Sequence, residues 1–396
     1  MAIESGRGPS APGLSTLGVH AGAEPGKPGD PVVPAIVQSA TFFGGRRDDG
    51  LLYTRYGNNP LQLQVGRKVA ALEGAEAAVV LGSGMGAIAA TVLSLTEAGD
   101  HIVAARDLYG ATRVLFEHEL PRRGVSTTFV DPEAPGAWRR ALRKRTRMLY
   151  LEAPTNPTLR VPDPRTAAAA AQARGIPVVM DATFATPVNL RPLELGVDIV
   201  VHSATKYLGG HSDIIGGVVA GPASAIDAVT EMMKLYGAAA DPHMVWLLDR
   251  GLRTLDVRVR RHNANALAVA RYLDGRREVR RVLYPGLQSH PDHARARELM
   301  PAGAGGMVSF VVRGGGGAAD RFVDALRLVQ VAPSLGGVES LISQPRYTSH
   351  KGLSAAVRRV LGIPDGVLGL SVGIVGADDL VAVLGSARER LSRAGR

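Results

Sequence analysis

The sequence predicts an α/β protein built on a mostly parallel sheet with helices on both faces, followed by a smaller C-terminal α/β lobe. Three observations carry that expectation. Seven short apolar runs (AVVL, HIVA, STTFV, MLYLE, IPVVMD, VDIVVH and IGGVVA) recur between residues 78 and 220. Amphipathic or alanine-rich stretches at 86–97, 165–174 and 224–235 fall between them, and alternating strand and helix marks a sheet covered on both sides. Beyond a long helical stretch at 243–274, only MVSFVV at 307–312 and LGLSV at 368–372 read as strands.

The elements follow in order. Residues 1–60 are rich in Gly and Pro and show little helical period before Leu61. They read as an extended arm whose first thirteen or so residues are mobile. Residues 61–255 hold the predicted main α/β domain and 256–396 the C-terminal one. The runs are nearly continuous in apolar character, as befits strands buried on both faces. In such a sheet ligands sit outside the carboxyl ends of the strands.

Composition narrows the function. The net charge of +10 raises the question of nucleic acid. The arginine clusters at 139–147 and 250–261 are interleaved with apolar residues, the second also with Asp249 and Asp256. They fit solvated helix faces, and no aromatic-interleaved basic stripe accompanies them. No apolar run of about 18 residues suggests a membrane span. The first residues lack the basic-then-apolar order of a secretory signal, so a cytoplasmic location is expected. The absence of cysteine excludes disulfides and thiolate metal sites. His290 and His293 have no third ligand nearby, and no metal is expected.

The chemistry concentrates in 197–217, VDIVVHSATKYLGGHSDIIGG. Val197 to Val201 read as a buried strand that ends in a Ser/Thr/Lys turn and a Gly-rich loop. Lysine is rare in this chain, six against forty arginines. An amine at a strand end beside two hydroxyls suits a lysine that forms an imine, with Ser203 and Thr205 free to hold a phosphate. Asp181 ends another buried run, VVMD, 25 residues before Lys206. Residues 78–90, AVVLGSGMGAIAA, read as strand, Gly-rich turn and helix, which presents backbone amides to an anion. The same stretch, with Gly82, Gly84, Ala87 and Asp107, also fits a dinucleotide fingerprint. A Rossmann dehydrogenase is thus a rival reading, but it leaves the lysine turn and the Asp181 strand end unexplained.

HSATKYLGGHSD at 202–213 resembles the pyridoxal-phosphate (PLP) lysine motif of the Cys/Met-metabolism (trans-sulfuration) family, and DATFATP at 181–187 resembles its Asp-Asn-Thr-Phe-Ala-Thr-Pro segment. Other matches are SGMGAI at 83–88, Tyr53-Thr54-Arg55 against the family's Tyr-Ser-Arg, DLYGAT around Tyr109, EAPTNP at 152–157 and SLGGVESLI at 334–342. The resemblance runs from TLGVHAG at 16–22 to Leu380. It implies a PLP-dependent aminotransferase-like (fold type I) architecture, nearest in motif to cystathionine γ-synthase and γ-lyase. It also implies pyridoxal 5'-phosphate bound as an imine to Lys206. Asp181 would keep the ring nitrogen protonated, making the ring an electron sink, and Tyr109 would lie flat on the ring. Gly84, Met85, Ser203 and Thr205 would hold the phosphate, with Thr183 and Asn156 among the cofactor contacts. Tyr53 and Arg55 would cross to the neighbouring subunit's phosphate in a homotetramer of active-site-sharing dimers. Lys206, Tyr109, Asp181 and Tyr53 are the expected catalytic residues.

The resemblance implies γ-elimination or γ-replacement on an amino-acid-type substrate, with a thiol or other nucleophile as possible co-substrate. β-Elimination is the nearest enzymatic alternative, and an inactive PLP-binding scaffold the alternative of another class. Substrate contacts are expected from Asn156, Ser334 and Glu339. Ala111 stands where methionine lyases carry a mobile cysteine. The family's Arg-Leu-Ser-Val-Gly, whose arginine clamps the substrate carboxylate, is Gly369-Leu370-Ser371-Val372-Gly373 here. QPRYTSH at 344–350 also departs from the family's His-Pro-Ala-Ser-Met-Thr-His. An unusual substrate is therefore expected, either without a free α-carboxylate or met by another arginine, Arg346 being the best placed.

Overall fold

The computed structural model describes residues 12–44, 50–349, 351–352, 354–360 and 362–394. Seven strands form the larger sheet: β1 (Ala77–Leu81), β2 (His101–Ala105), β3 (Ser126–Val130), β4 (Thr146–Glu152), β5 (Val178–Asp181), β6 (Ile199–Ser203) and β7 (Gly217–Gly221). Their order is β1-β7-β6-β5-β4-β2-β3. Only β7 runs against its neighbours, so the sheet is mostly parallel, as expected. Successive strand residues point to opposite faces, and along β1 the two faces meet different cores. Val79 and Leu81 pack with Ala87 of helix Gly84–Leu95 and Ile226 and Met233 of helix Ala223–Tyr236. Val80 packs the other way, with Leu61, Val65 and Val69 of helix Pro60–Glu73 and Val245 and Leu248 of helix Pro242–Leu252. All of these side chains are almost wholly buried, which is worth about 1.5–3 kcal/mol apiece for all but Ala87.

Helices Pro60–Glu73 and Pro242–Leu252 are also joined by a buried ion pair. Lys68 Nζ lies 2.6 Å from Asp249 Oδ1, and Asp249 Oδ2 accepts from Arg253 Nε at 2.9 Å.

Five strands make the second sheet: β8 (Val279–Leu283), β9 (Met307–Val312), β10 (Gln330–Val331), β11 (Leu341–Ser343) and β12 (Val367–Ser371), in the order β10-β11-β12-β9-β8. All its pairings but β10 with β11 are antiparallel. The predicted helical stretch at 243–274 is two helices, Pro242–Leu252 and Leu255–Leu273, broken at Arg253 and Thr254. The second is shared between cores. Leu255 and Val259 pack beneath the large sheet, whereas Ala266, Val269, Ala270 and Leu273 pack on the small one.

The arm is less extended than expected. Residues Leu14–His20 form a helix whose Leu14 and Leu17 pack on the core of Leu61, Val65 and Leu252. Gly18 permits that approach, since a Cβ there would lie 2.8 Å from the Leu252 carbonyl oxygen. The mobility expected at the start of the chain concerns residues that lie mostly outside the described ones. From Ala21 to Leu52 the described residues form no helix, and Val32, Ile36, Phe43 and Leu51 are exposed. No described helix is long and apolar enough to cross a membrane.

Candidate active site

The carboxyl ends of the parallel strands bring the predicted residues together. Gly84 follows β1, Tyr109 follows β2, Glu152 ends β4, Asp181 ends β5, and Ser203 ends β6 just before Lys206. The Lys206 turn is fixed locally. The Lys206 amide donates to Ser203 O at 3.1 Å, and its carbonyl accepts from Gly210 N at 2.8 Å. Lys206 Nζ donates to Ser334 Oγ at 2.8 Å, and burial lowers the pKa of this amine. Ser334 reaches across from the C-terminal lobe in a left-handed conformation, φ 88°, uncommon for a residue with a side chain.

Arg258 supports the same turn from below. It is 4% exposed and donates to the carbonyls of Tyr207 at 2.7 Å and Gly251 at 2.6 Å. Burial lowers its pKa to about 10. This corrects the expectation that the arginines of 250–261 all line solvated faces. Its guanidinium reaches three peptide oxygens, those of Tyr207, Leu208 and Gly251, and a buried polar group is normally paired.

On the next strand, Asp181 Oδ1 accepts from the Thr183 amide at 2.9 Å, and Thr183 Oγ1 accepts from the Ser203 amide at 2.8 Å. Asp181 is buried, and that burial raises its pKa. Glu152, paired with Asp181 in the β4–β5 register, was not singled out from the sequence. Its carboxyl accepts from the Tyr109 amide at 2.8 Å and the Asn156 amide at 3.1 Å. Burial first, and then Asp181, push its pKa well up. A carboxylate ending an otherwise apolar run beside Asp181 was the available signal.

An anion cradle lies at the start of helix Gly84–Leu95. Ser83 caps it, its Oγ accepting from Gly86 N at 2.9 Å. A Cβ on Gly84 would sit 2.7 Å from Ser203 Cβ and 2.9 Å from Ser203 Oγ, so glycine is required where the helix start meets the Ser203 turn. Free amides at a helix N-terminus favour a phosphate. Thr205 Oγ1 accepts from Gly216 N at 3.1 Å alongside. A desolvated amine, a buried acid and an anion cradle at adjoining strand ends fit a phosphorylated aldehyde with a basic ring nitrogen.

The sequence pattern described as "Cys/Met metabolism PLP-dependent enzyme" matches residues 15–389. The chain belongs to that family. It is a PLP-dependent enzyme of the trans-sulfuration type. Among its relatives, L-methionine gamma-lyase of Pseudomonas putida is 40% identical over 384 residues, 94% of this chain and 96% of that protein. Cystathionine gamma-synthase 1, chloroplastic, of Nicotiana tabacum is 38% identical, covering 93% and 70%. The crystal structure of cystathionine gamma synthase from Xanthomonas oryzae pv. oryzae, in complex with aminoacrylate and cysteine, superposes with a TM-score of 0.91 at 38% identity, covering 96% of this chain and 99% of that one. The fold is thus that of the PLP-dependent trans-sulfuration enzymes.

Other predicted residues of this trans-sulfuration enzyme lie elsewhere or are already engaged. Arg55 Nη1 donates to Lys234 O at 2.7 Å, and its guanidinium lies over the Tyr53 ring at 5.5 Å and the Tyr56 ring at 5.0 Å. Neither Tyr53 nor Arg55 bonds to the Lys206 cluster of its own chain among the described residues. Glu339 pairs with the Ser212 hydroxyl. Arg346 donates to Asp320 Oδ1 at 2.5 Å, Gly316 O at 3.0 Å and Gln344 Oε1 at 3.1 Å, and stacks on Tyr347 at 4.3 Å. Gly369 is buried on β12 between Ser309 of β9 and Ser343 of β11. No group of three or more metal-ligating side chains occurs among the described residues.

Proposed function

We propose that the protein catalyses γ-elimination or γ-replacement on an amino-acid-type substrate, with an altered grip on the substrate's carboxyl end. The observation that carries this is the convergence of the Lys206 amine, Asp181 and the Gly84 cradle at neighbouring strand ends. When bound, PLP supplies an electron sink for negative charge developing at the substrate's α-carbon. Lys206 would hold the cofactor, and its amine, when free, would carry protons at the substrate's α- and β-carbons so that a γ-substituent can leave. Water, a thiol or another nucleophile then adds. Asp181 accompanies the ring nitrogen and Tyr109 the ring face. Asn156 donates toward the ring oxygen, Gly84, Met85, Ser203 and Thr205 hold the phosphate end, and Thr183 contacts the cofactor beside Asp181. Ser334 steers the Lys206 amine through the 2.8 Å contact, and Glu339 faces the distal part of the substrate.

Tyr53 and Arg55 complete the phosphate site of a second copy, in a tetramer of site-sharing dimers. The exposed Val32, Ile36, Phe43 and Leu51 of the arm support that assembly, with 61–255 as the cofactor domain and 256–396 as the C-terminal domain. The substrate is one without a free α-carboxylate, such as an amide, ester or carrier-tethered amino acid. Two facts favour this: Gly369 offers no charge, and the Arg346 guanidinium is already bound by Asp320.

The test is spectral and chemical. Purified protein should absorb near ~420 nm with PLP, and Lys206→Ala should lose the band. Protein that stays colourless with added PLP would sink the proposal, whereas a coloured protein that turns over no substrate would point to an inactive PLP-binding scaffold. Release of a 2-oxo acid from cystathionine at a rate typical of ordinary substrates would remove the altered-substrate part alone.

A further inference from the structure

We propose that Glu152 is a positioning residue of this site: its buried carboxyl fixes the main chain at Tyr109 and at Asn156, so that both side chains meet the cofactor in one geometry. The inference rests on the roles proposed above for those two residues. Glu152 is 5% exposed, yet neither oxygen is left idle. Oε2 accepts from the Tyr109 amide at 2.8 Å and Oε1 from the Asn156 amide at 3.1 Å. These amides belong to different connections, one after β2 and one after β4. A single side chain therefore sets the spacing between an aromatic ring and a side-chain amide that come from separate loops.

The chemistry of the group matters as much as its place. A carboxyl offers two acceptor oxygens, whereas the isosteric glutamine offers one acceptor and turns two N–H donors toward the other site. Gln at 152 would set its own amide against a main-chain N–H. Aspartate keeps both oxygens but is one methylene shorter, so its carboxylate falls short of the two amides. The Tyr109 connection is also confined from its other side. A Cβ on Gly110 would sit 2.9 Å from the Ser349 carbonyl oxygen. A loop held on one flank by the C-terminal lobe and on the other by Glu152 has little room to retilt. The β4–β5 register sets Glu152 directly opposite Asp181, so the same carboxyl adjoins the acid assigned to the ring nitrogen.

The experiment compares full-length parent, Glu152→Gln and Glu152→Asp. PLP affinity is read by absorbance titration, ring orientation by visible circular dichroism of bound PLP, and local order by amide hydrogen exchange of the cofactor-free proteins. Glu152→Gln is expected to weaken PLP binding at least tenfold and to lose more than half of the visible dichroism. Exchange should quicken in peptides spanning 106–111 and 153–158 and stay unchanged elsewhere. Glu152→Asp should fall between the two. If either variant is folded and matches the parent in affinity, dichroism and exchange of both peptides, the proposal is wrong. Should Glu152→Gln fail to fold, Glu152→Asp decides by the same criteria. If the parent itself does not bind PLP, the cofactor reading fails, and the exchange of the two peptides still decides the role of Glu152.

Discussion

Replacing Gly369 with arginine asks directly whether the carboxyl end of the substrate pocket is altered. Gly369 lies on β12, and a Cβ there would meet Ser343 Oγ at 3.7 Å, Met307 Cε at 3.9 Å and Ser343 O at 3.9 Å. These are ordinary van der Waals separations, so the first carbon of a new side chain enters without moving the backbone. A guanidinium reaching a substrate carboxylate would add a charge-assisted contact worth about 1.5–3 kcal/mol, or about 10- to 150-fold in kcat/KM. The assay is 2-oxo acid release from cystathionine and from homoserine esters, for parent and Gly369→Arg, both saturated with PLP. The expected result is a gain of that size on substrates with a free α-carboxylate, and none on the same substrates blocked as α-carboxamides or α-carboxyl esters, for which release of the 2-oxo amide or ester is followed. A folded variant that retains the cofactor band, yet stays within twofold of the parent on free amino acids, refutes the reasoning. Another group would then already bind the carboxylate.

Three further outcomes follow from the geometry. Gly84→Ala should weaken PLP binding by more than tenfold, about 1.4 kcal/mol, because its Cβ would press on Ser203 Cβ at 2.7 Å; absorbance titration measures it. Lys68→Met removes one of the two cations that pair with buried Asp249 and leaves Arg253 on its other oxygen, so it should cost about 1–3 kcal/mol in denaturant unfolding. Burial raises the pKa of Asp292, but the bonds from Arg160 and the Val161 amide outweigh it and hold the carboxyl below its ordinary value. Its stabilisation is therefore complete above the unfolded value of about 3.9 and is lost as pH falls below that. Asp292→Asn should cost about 2–3 kcal/mol near neutrality and flatten the acid limb of a melting-temperature profile.

The large sheet was legible because its strands are buried on both faces and read as unbroken apolar runs. Strand β8 was not, since Arg280 and Arg281 put two exposed charges in a five-residue edge strand. The two-residue β10 and three-residue β11 are too short to carry a period. Helix Leu14–His20 escaped notice because its stability comes from docking on distant residues such as Leu252, not from its own pattern. Within the site, the strand-end positions of Lys206 and Asp181 could be read from the sequence. The engagement of Arg346 could not, because its partner Asp320 sits on helix Gly315–Asp324, 26 residues away. Nor could the burial of Arg258, whose neighbours in sequence are ion-paired surface residues such as Arg260.

Helix Leu255–Leu273 gives its first turns to one hydrophobic centre and its later turns to another. Neither centre can be dissolved without stripping apolar side chains from a rod that the other still grips. Denaturation should accordingly run as a single event across both lobes, and severing the chain on either side of this rod would leave one fragment with an uncovered seam.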